Sequence, residues 1–220
     1  KKEDAYCATF ESCAYLNLGY KHVCDLGPGE VVEIKNDSCT RLKEPIQEMK
    51  MCSFLWSYYG YPTATYEGVN VEMMRAKCGS QMRKRDNVEV DAIAGVPDSG
   101  LGAALGYSQE SGIPYAMGIV KNKYIGRTFI APTQKERENL VFVKLNALKS
   151  DVEGKRVVVI DDSIVRGTTS RRLIQIIRRA GAKEVHFRVS SPRVKHPCYF
   201  GIDTPSKEEL IASVHDVEHI

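Results

Sequence analysis

The sequence predicts an α/β protein whose core is a mostly parallel, open sheet with helices on both faces. The first observation is that β-rich runs alternate with helical or loop segments from residue 90 onward, a pattern typical of a parallel sheet covered by helices. The second is that two of these runs lead through short turns directly into helices. The four runs are VDAIAGV (90–96), YAMGIV (115–120), RVVVIDD (156–162) and EVHFRVS (184–190).

Residues 1–45 differ in character from the rest of the chain. The run HVCDLGPGEVVEIKNDSCTRL (22–42) predicts short antiparallel strands around a Gly-Pro-Gly turn and an Asn-Asp turn. This stretch is too short to bury a core alone, whereas 220 residues with 43% hydrophobic content suffice for one sizeable domain and a remnant of another. We therefore predict two regions, residues 1–45 and residues 46–220.

The first strand-to-helix unit follows a mixed region of aromatic and basic residues. That region, 46–89, contains one predicted helix, within residues 68–85. The strand at 90–96 then leads through the turn PDSG (97–100) into LGAALGYSQESG (101–112), whose small and apolar residues suit a helix close to the sheet. Gly112 and Pro114 should end that helix.

The second unit runs from RVVVIDD through SIVRGTTS (163–170) into the helix RRLIQIIRRAG (171–181). Leu173, Ile176, Ile177 and Ala180 fall at positions i, i+3, i+4 and i+7, which predicts that one helix face packs on the sheet. We expect the arginines of this helix to face outward.

Composition excludes several classes of protein. With 31 basic and 28 acidic residues, the net charge of +3 does not indicate a nucleic-acid partner. No apolar stretch approaches the roughly 20 residues of a membrane helix. Seven scattered cysteines without a CxxC pair, and no secretory segment, predict a reducing, cytoplasmic setting.

The two turns, at 97–100 and 161–169, carry the predicted chemistry. Ligands of open parallel sheets bind beyond the carboxyl ends of the strands, so both turns are candidates for one site. The glycine, hydroxyls and amides of GTTS (167–170) at a helix N-terminus indicate a phosphate site. Asp161 and Asp162 would repel phosphate, so they fit sugar hydroxyls and Mg²⁺. Alone, the pair would be typical of a solvated strand end or a helix cap.

The stretch VVVIDDSIVRGTTS (157–170) resembles the phosphoribosyl pyrophosphate (PRPP) signature of type I phosphoribosyltransferases. The resemblance implies the type I phosphoribosyltransferase fold. It implies that the acidic pair holds the ribose hydroxyls, directly or through Mg²⁺, and that the following loop holds the 5′-phosphate. The PRPP-binding residues implied here are Asp161, Asp162, Ser163, Arg166, Gly167, Thr168, Thr169 and Ser170.

Residues 46–220 also resemble the glutamine phosphoribosylpyrophosphate amidotransferase family. The motifs that carry this resemblance are GVPDSG (95–100), GIPYAMGIVKNKYIGRTFIAPTQ (112–134), VVVIDDSIVRGTTSRR (157–172), AGAKEVHFRVSSP (180–192) and HPCYFGIDTP (196–205). The resemblance implies that Pro97, Asp98, Ser99 and Gly100 hold the pyrophosphate and that Ser99, Asp161 and Asp162 form the Mg²⁺ site. It also implies that Lys121, Tyr124 and Arg127, on a flexible loop, contact the pyrophosphate during catalysis.

For this family the implied reaction opens de novo purine (IMP) biosynthesis. Ammonia derived from glutamine attacks C1 of the ribose, pyrophosphate departs, and 5-phosphoribosylamine forms. The loop cations would stabilise the charge on the leaving group. The resemblance further implies feedback inhibition by purine nucleotides and a homo-oligomer, a tetramer in the family.

Two features depart from the family pattern. The glutaminase domain of the family, of Ntn type, uses a cysteine at the first position as its nucleophile, and position 1 here is lysine. Residues 1–45 resemble the last strands of that domain, so we expect Cys7 and Cys13 to be strand residues and this chain to lack glutaminase activity. Cys52 and Cys198 resemble two of the four ligands of a [4Fe-4S] cluster, which we expect in the full-length parent and not in this chain.

Two other interpretations share the signature. A phosphoribosyltransferase that acts on a nucleobase would carry residues 157–170, although we would not expect it to carry KNKYIGRTFI (121–130). A PRPP-binding regulator without turnover would keep the pocket, although we would expect it to have a basic nucleic-acid surface.

Overall fold

A computed structural model of the chain describes residues 1–3, 5–35, 38–124, 144–199, 202, 204 and 206–220. The chain divides into two compact units, Lys1–Met74 and Arg75–Ile220. This division follows the packing of the backbone, whereas the predicted boundary after residue 45 follows a change in the character of the sequence together with a resemblance. That boundary stays a prediction.

The first unit consists of short elements. Strands β1 (Val31–Lys35) and β2 (Ser38–Lys43) pair in antiparallel fashion with a register shift between Val31 and Val32, which confirms the hairpin predicted at the Asn-Asp turn; that turn lies outside the described residues. Residues 22–26 form no strand, so the strand predicted before the Gly-Pro-Gly turn was wrong. Strands β3 (Thr65–Tyr66) and β4 (Val69–Asn70) form a second small antiparallel pair. The elements are α1 (Ser12–Asn17), β1 (Val31–Lys35), β2 (Ser38–Lys43), a π-helix (Leu55–Tyr59), β3 (Thr65–Tyr66) and β4 (Val69–Asn70).

The expectation that Cys7 and Cys13 are strand residues was wrong. Cys13 lies in helix α1, and Cys7 lies outside any regular element. The segment SCAYLN lacks the alternation of apolar and polar residues that a half-buried strand needs, and its Ala14 and Leu16 are good helix formers.

The second unit contains the elements that position the site. Helix α2 begins at Val71, four residues before the border between the units. The predicted strands and helices follow in the predicted order, together with short elements at residues 145–147, 149–152, 211–214 and 217–219 that the sequence did not predict. The elements are α2 (Val71–Arg83), β5 (Ala92–Gly95), α3 (Leu101–Ser111), β6 (Ile119–Lys121), β7 (Leu145–Ala147), α4 (Lys149–Val152), β8 (Arg156–Asp161), α5 (Thr168–Arg179), β9 (Glu184–Val189), α6 (Ile211–Val214) and a 3₁₀-helix (Val217–His219).

The main sheet is parallel, in the order β5-β8-β9. Its register pairs Gly95 with Ile160 and Asp161 with Val189, so the carboxyl ends of the three strands lie side by side. The strand predicted at 115–120 forms only in part: Tyr115 pairs with Ile93 through a single parallel bridge. Strand β6 begins only at Ile119 and pairs with β7 in antiparallel fashion.

Helices cover both faces of this sheet, as predicted. Alternate strand residues enter two separate clusters, which explains why the strand runs are apolar at nearly every position. One cluster contains Ala94, Val157 and Val159 with Leu173 and Ile177 of α5. The other contains Ile93, Val158 and Ile160 with Ala103, Ala104 and Tyr107 of α3.

The ends and faces of the helices agree with the sequence except at one residue. Gly112, in the left-handed conformation with φ 70°, ends α3, and its amide donates to the carbonyl of Ser108 at 2.9 Å. Arg171, Arg178 and Arg179 are exposed, but Arg172 is buried, so the expectation that all the arginines of α5 face outward was wrong. Arg172 precedes Ile176 by four residues, which places it on the covered side of the helix.

In the described ranges, no helix is both long enough and apolar enough to cross a bilayer.

Candidate active site at the carboxyl edge of the sheet

The turns after β5 and β8 lie against each other. The amide of Val96 donates to the carbonyl of Ile160 at 2.9 Å, which continues the pairing of the two strands beyond β5. At Gly100 a Cβ atom would lie 2.4 Å from the same carbonyl oxygen, so only glycine permits this approach. The peptide bond between Pro97 and Asp98, in this turn, is cis.

Asp161, the last residue of β8, is a buried carboxylate with 8% exposure. Its Oδ1 atom accepts a hydrogen bond from the Asp162 amide at 2.9 Å. Burial, together with the neighbouring charge of Asp162, raises the pKa of Asp161 to about 7, because both disfavour the ionised form. A cation bound here would remove that penalty.

Asp162, at 5% exposure, joins the two turns. Its carboxylate accepts hydrogen bonds from the hydroxyls of Ser99, which is 63 residues away, and of Ser163. Burial raises the pKa of Asp162, while the two hydroxyl bonds and the charge of Arg75 oppose the rise. Arg75 is a buried residue of α2 that the sequence analysis missed, since nothing in the local pattern distinguishes it from the other basic residues of that helix.

The loop that follows the acidic pair has the geometry of an anion site. Gly167 precedes α5 with φ 76°, and the Ser170 hydroxyl donates to its carbonyl at 3.0 Å. Thr168 and Thr169 are exposed in the first turn of the helix. The first amides of a helix have no acceptors within it and carry its positive dipole end, so this turn can bind a phosphate group.

Arg166 precedes that glycine and is held by a residue that the sequence analysis missed. Its Nε and Nη2 atoms donate to Oε2 of Glu209 at 2.6 Å and 2.5 Å. The two residues are 43 positions apart, and a lone glutamate in a polar segment gives no signal of this contact.

Of the three residues predicted on the basic loop, Lys121 lies near the acidic turn. Its ammonium group forms an ion pair with Asp98 of the PDSG turn. Tyr124 is 99% exposed and contributes no buried contact, and Arg127 lies outside the described residues. The structure therefore brings together Asp98, Ser99, Lys121 and the acidic pair.

The oxygen donors of this edge fit Mg²⁺. Magnesium prefers one or two carboxylates together with waters and phosphate oxygens, and Asp161, Asp162 and Ser99 supply oxygen atoms of this type. The described residues contain no group of three or more His, Cys, Asp or Glu side chains that could hold a metal without a substrate.

The two cysteines predicted as cluster ligands do not form a cluster site by themselves. Cys52 is exposed in the first unit, and Cys198 is partly buried in the second. None of the seven described cysteines forms a disulfide, and two thiolates are too few for a [4Fe-4S] cluster.

The fold and this edge together define an α/β protein with a candidate ligand site beyond the carboxyl ends of its parallel strands, where a buried acidic pair lies before a helix N-terminus. Residues 70–201 match the family model described as the phosphoribosyl transferase domain. The chain belongs to this family.

Curated relatives and solved structures of amidophosphoribosyltransferases are similar over almost the whole chain. The Archaeoglobus fulgidus enzyme is 47% identical over 219 residues, which are 99% of this chain and 48% of the relative. The Bacillus subtilis enzyme is 45% identical, over 99% of this chain and 46% of its own length. A structure of glutamine PRPP amidotransferase from B. subtilis, complexed with ADP and GMP, has a TM-score of 0.85 and 45% identity, covering 95% of this chain and 46% of that one. The chain thus spans about half the length of these relatives.

Proposed function

We propose that this chain is the phosphoribosyltransferase part of an amidophosphoribosyltransferase, which forms 5-phosphoribosylamine and pyrophosphate from PRPP and ammonia derived from glutamine. This is the first step of de novo purine synthesis. The observation that carries the proposal is the hydrogen bond from Ser99 to the buried Asp162, because it joins the two predicted PRPP turns at one edge of the sheet. The identity of about 45% to amidophosphoribosyltransferases supports the choice among phosphoribosyl transfer reactions.

PRPP lies along this edge with each part held by a different loop. The turn 97–100 holds the pyrophosphate, the acidic pair faces the ribose hydroxyls, and the amides and hydroxyls of 167–170 hold the 5′-phosphate. This order places the acidic pair between the two phosphate ends, and Mg²⁺ bound by the pair would offset its repulsion of the nearby pyrophosphate. The residues proposed to contact PRPP are Pro97, Asp98, Ser99, Gly100, Asp161, Asp162, Ser163, Arg166, Gly167, Thr168, Thr169 and Ser170.

The reaction is a displacement at C1 of the ribose. The ammonia nitrogen forms the new bond to C1, the bond from C1 to the pyrophosphate oxygen breaks with its electron pair, and the extra proton passes to solvent. Lys121, Tyr124 and Arg127 are proposed to offset the charge on the departing pyrophosphate. When bound by Asp161, Asp162 and Ser99, Mg²⁺ would supply further charge neutralisation at the leaving group.

Further properties of the relatives extend to this chain only as proposals. We propose a cytoplasmic homo-oligomer, a tetramer by family resemblance, that purine nucleotides inhibit; the relative bound to ADP and GMP supports the last point. We also propose that Cys52 and Cys198 are cluster ligands in a longer parent that supplies two further thiolates. The nitrogen donor proposed for this chain alone is ammonia, since the phosphoribosyl site requires no glutamine.

Calorimetric titration with PRPP and Mg²⁺, followed by an assay of pyrophosphate release with ammonia, tests the proposal. We expect binding and release that depends on ammonia, with no release of glutamate from glutamine. Nucleotide formation from adenine, guanine or hypoxanthine, with none from ammonia, would instead indicate a nucleobase phosphoribosyltransferase. Binding without any turnover would indicate a PRPP-binding regulator, and no binding would refute the proposal.

A further inference from the structure

Residues 209–211 lie beyond the range 70–201 that matches the family model. They nevertheless contact the phosphate loop, residues 163–170, at the three consecutive positions 165, 166 and 167. The Ile211 amide donates to the carbonyl of Val165 at 2.9 Å. Glu209 accepts two hydrogen bonds from Arg166. The Ile211 side chain packs so closely on Gly167 that a Cβ atom there would lie 2.9 Å from its Cδ1 atom.

The segment that makes these contacts is itself anchored. Leu210 is fully buried and Ala212 is 6% exposed, so the backbone on both sides of Ile211 is fixed in the second unit. Glu209 therefore extends from a fixed backbone position, although its own side chain is 44% exposed.

We propose that Glu209 is a positioning residue for the 5′-phosphate, acting through Arg166 on the loop that precedes α5; this inference rests on the proposed function. A phosphate loop binds with its backbone amides, so its affinity depends on how well the backbone is held before the ligand arrives. The left-handed Gly167 lies between Arg166 and the first helical amide, and Arg166 is the residue whose side chain the carboxylate holds. The pair sets the direction in which those amides point.

Stability is not the main contribution of this pair. Exposed ion pairs contribute little to folding stability, and both side chains are more than two-fifths exposed. The consequence of losing Glu209 should therefore appear in phosphate affinity rather than in folding.

Titration with two partial ligands, ribose 5-phosphate and inorganic pyrophosphate with Mg²⁺, separates the two ends of the PRPP site. We expect Glu209→Gln to weaken ribose 5-phosphate binding by about three- to tenfold and to leave pyrophosphate binding within about twofold of the original protein. The matched control is Glu208→Gln, which makes the same charge change one residue away at an exposed side chain. It should change neither affinity.

A double-mutant cycle with Arg166→Gln tests whether Glu209 acts through Arg166. If it does, Glu209→Gln should have no further effect in the Arg166→Gln background, because the partner is already absent. Additive effects would overturn the proposal, as would unchanged or tighter ribose 5-phosphate binding in Glu209→Gln, or equal weakening for both ligands. If the original protein bound neither ligand, the proposed function itself would fail, an outcome that requires no variant.

Discussion

Two acidic sites of the second unit, Asp86 and the pair Asp161 and Asp162, differ in the groups that neutralise or hydrogen-bond their carboxylates. Asp86 accepts hydrogen bonds from Arg188 through both oxygens, at 2.5 Å and 3.1 Å, and from the Tyr107 hydroxyl at 2.9 Å. Its pKa is lowered, mainly by Arg188. Asp161 and Asp162, at the carboxyl edge, accept hydrogen bonds from amide and hydroxyl donors, and burial raises their pKa values, although the charge of Arg75 opposes the rise at Asp162.

The difference separates a carboxylate whose ionised form an arginine stabilises from a pair whose ionised form burial disfavours. Asp86 finds its cation within the fold, so it connects α3 to β9 and stabilises the protein by itself. The acidic pair keeps two carboxylates close together and buried, which disfavours their ionised forms, and a bound cation would remove part of this penalty. A site that accepts such a cost is typical of ligand binding.

The largest loss of stability should follow from Asp86→Ala. Removing this carboxylate leaves the Arg188 guanidinium, whose side chain is 32% exposed, without its ion-pair partner. We expect a loss of about 3 kcal/mol in the free energy of unfolding, measured by urea denaturation. Asp216→Ala, at an exposed residue without a side-chain capping bond, is the control and should lose little stability. Equal stabilities for the two variants would show that Asp86 does not stabilise the fold through Arg188.

The double substitution Asp161→Asn with Asp162→Asn should not lower stability, in contrast to Asp86→Ala. The amides remove two neighbouring buried charges, so the ligand-free protein should melt at the same or a higher temperature. PRPP affinity in the presence of Mg²⁺ should fall at least about tenfold, or 1.4 kcal/mol, in calorimetry. Unchanged affinity would mean that the ligand binds elsewhere, and a large loss of stability would mean that the pair is structural, like Asp86.

The dependence of stability on pH sharpens the comparison at Asp86. Its folded-state pKa lies below the ordinary value of 3.8, so its contribution is present above pH 3.8 and is lost as pH falls through the folded pKa. The difference in unfolding free energy between the original protein and Asp86→Ala should stay constant above about pH 5 and narrow as pH falls toward 3. Urea midpoints of both proteins across this range provide the measurement. A difference that widens in acid would contradict the assignment.

The smallest expected changes in stability and binding follow from breaking the exposed ion pair of Asp98 and Lys121. The Asp98 side chain is 72% exposed, so Lys121→Met should change the unfolding free energy by no more than about 0.5 kcal/mol. Pyrophosphate binding should nevertheless weaken by about threefold, since a cation next to the turn 97–100 is lost. Calorimetry and thermal melting on the same samples distinguish the two effects. Lys149→Met, at an exposed lysine of α4, is the control.

The sequence predicted the strand, the turn and the helix of the second unit best where their residues are neighbours in the chain. The apolar run, the two aspartates and the loop that opens α5 form one contiguous stretch, and period and turn chemistry are local properties. The rule that ligands bind beyond parallel strands then brought the turn at 97–100 to the same edge. The packing of Gly100 on Ile160 agrees with that expectation.

The contacts that the sequence did not reveal join residues far apart in the chain. Asp86 and Arg188 are separated by 102 positions, and Arg166 and Glu209 by 43. Charged residues are common on protein surfaces, so no local pattern distinguishes these from their neighbours. Arg172 was assigned to the surface for the same reason, because arginine is seldom buried.

The approach of Gly100 to the Ile160 carbonyl has a consequence for a library of all single substitutions. Every side chain other than hydrogen collides with a backbone oxygen that the sheet register holds in place, so selection for activity should retain glycine alone at this position. Two residues earlier, the exposed Asp98 meets no such obstacle, so selection for folding alone should accept many replacements there. Under that selection, two residues of one four-residue turn would show very different mutational spectra.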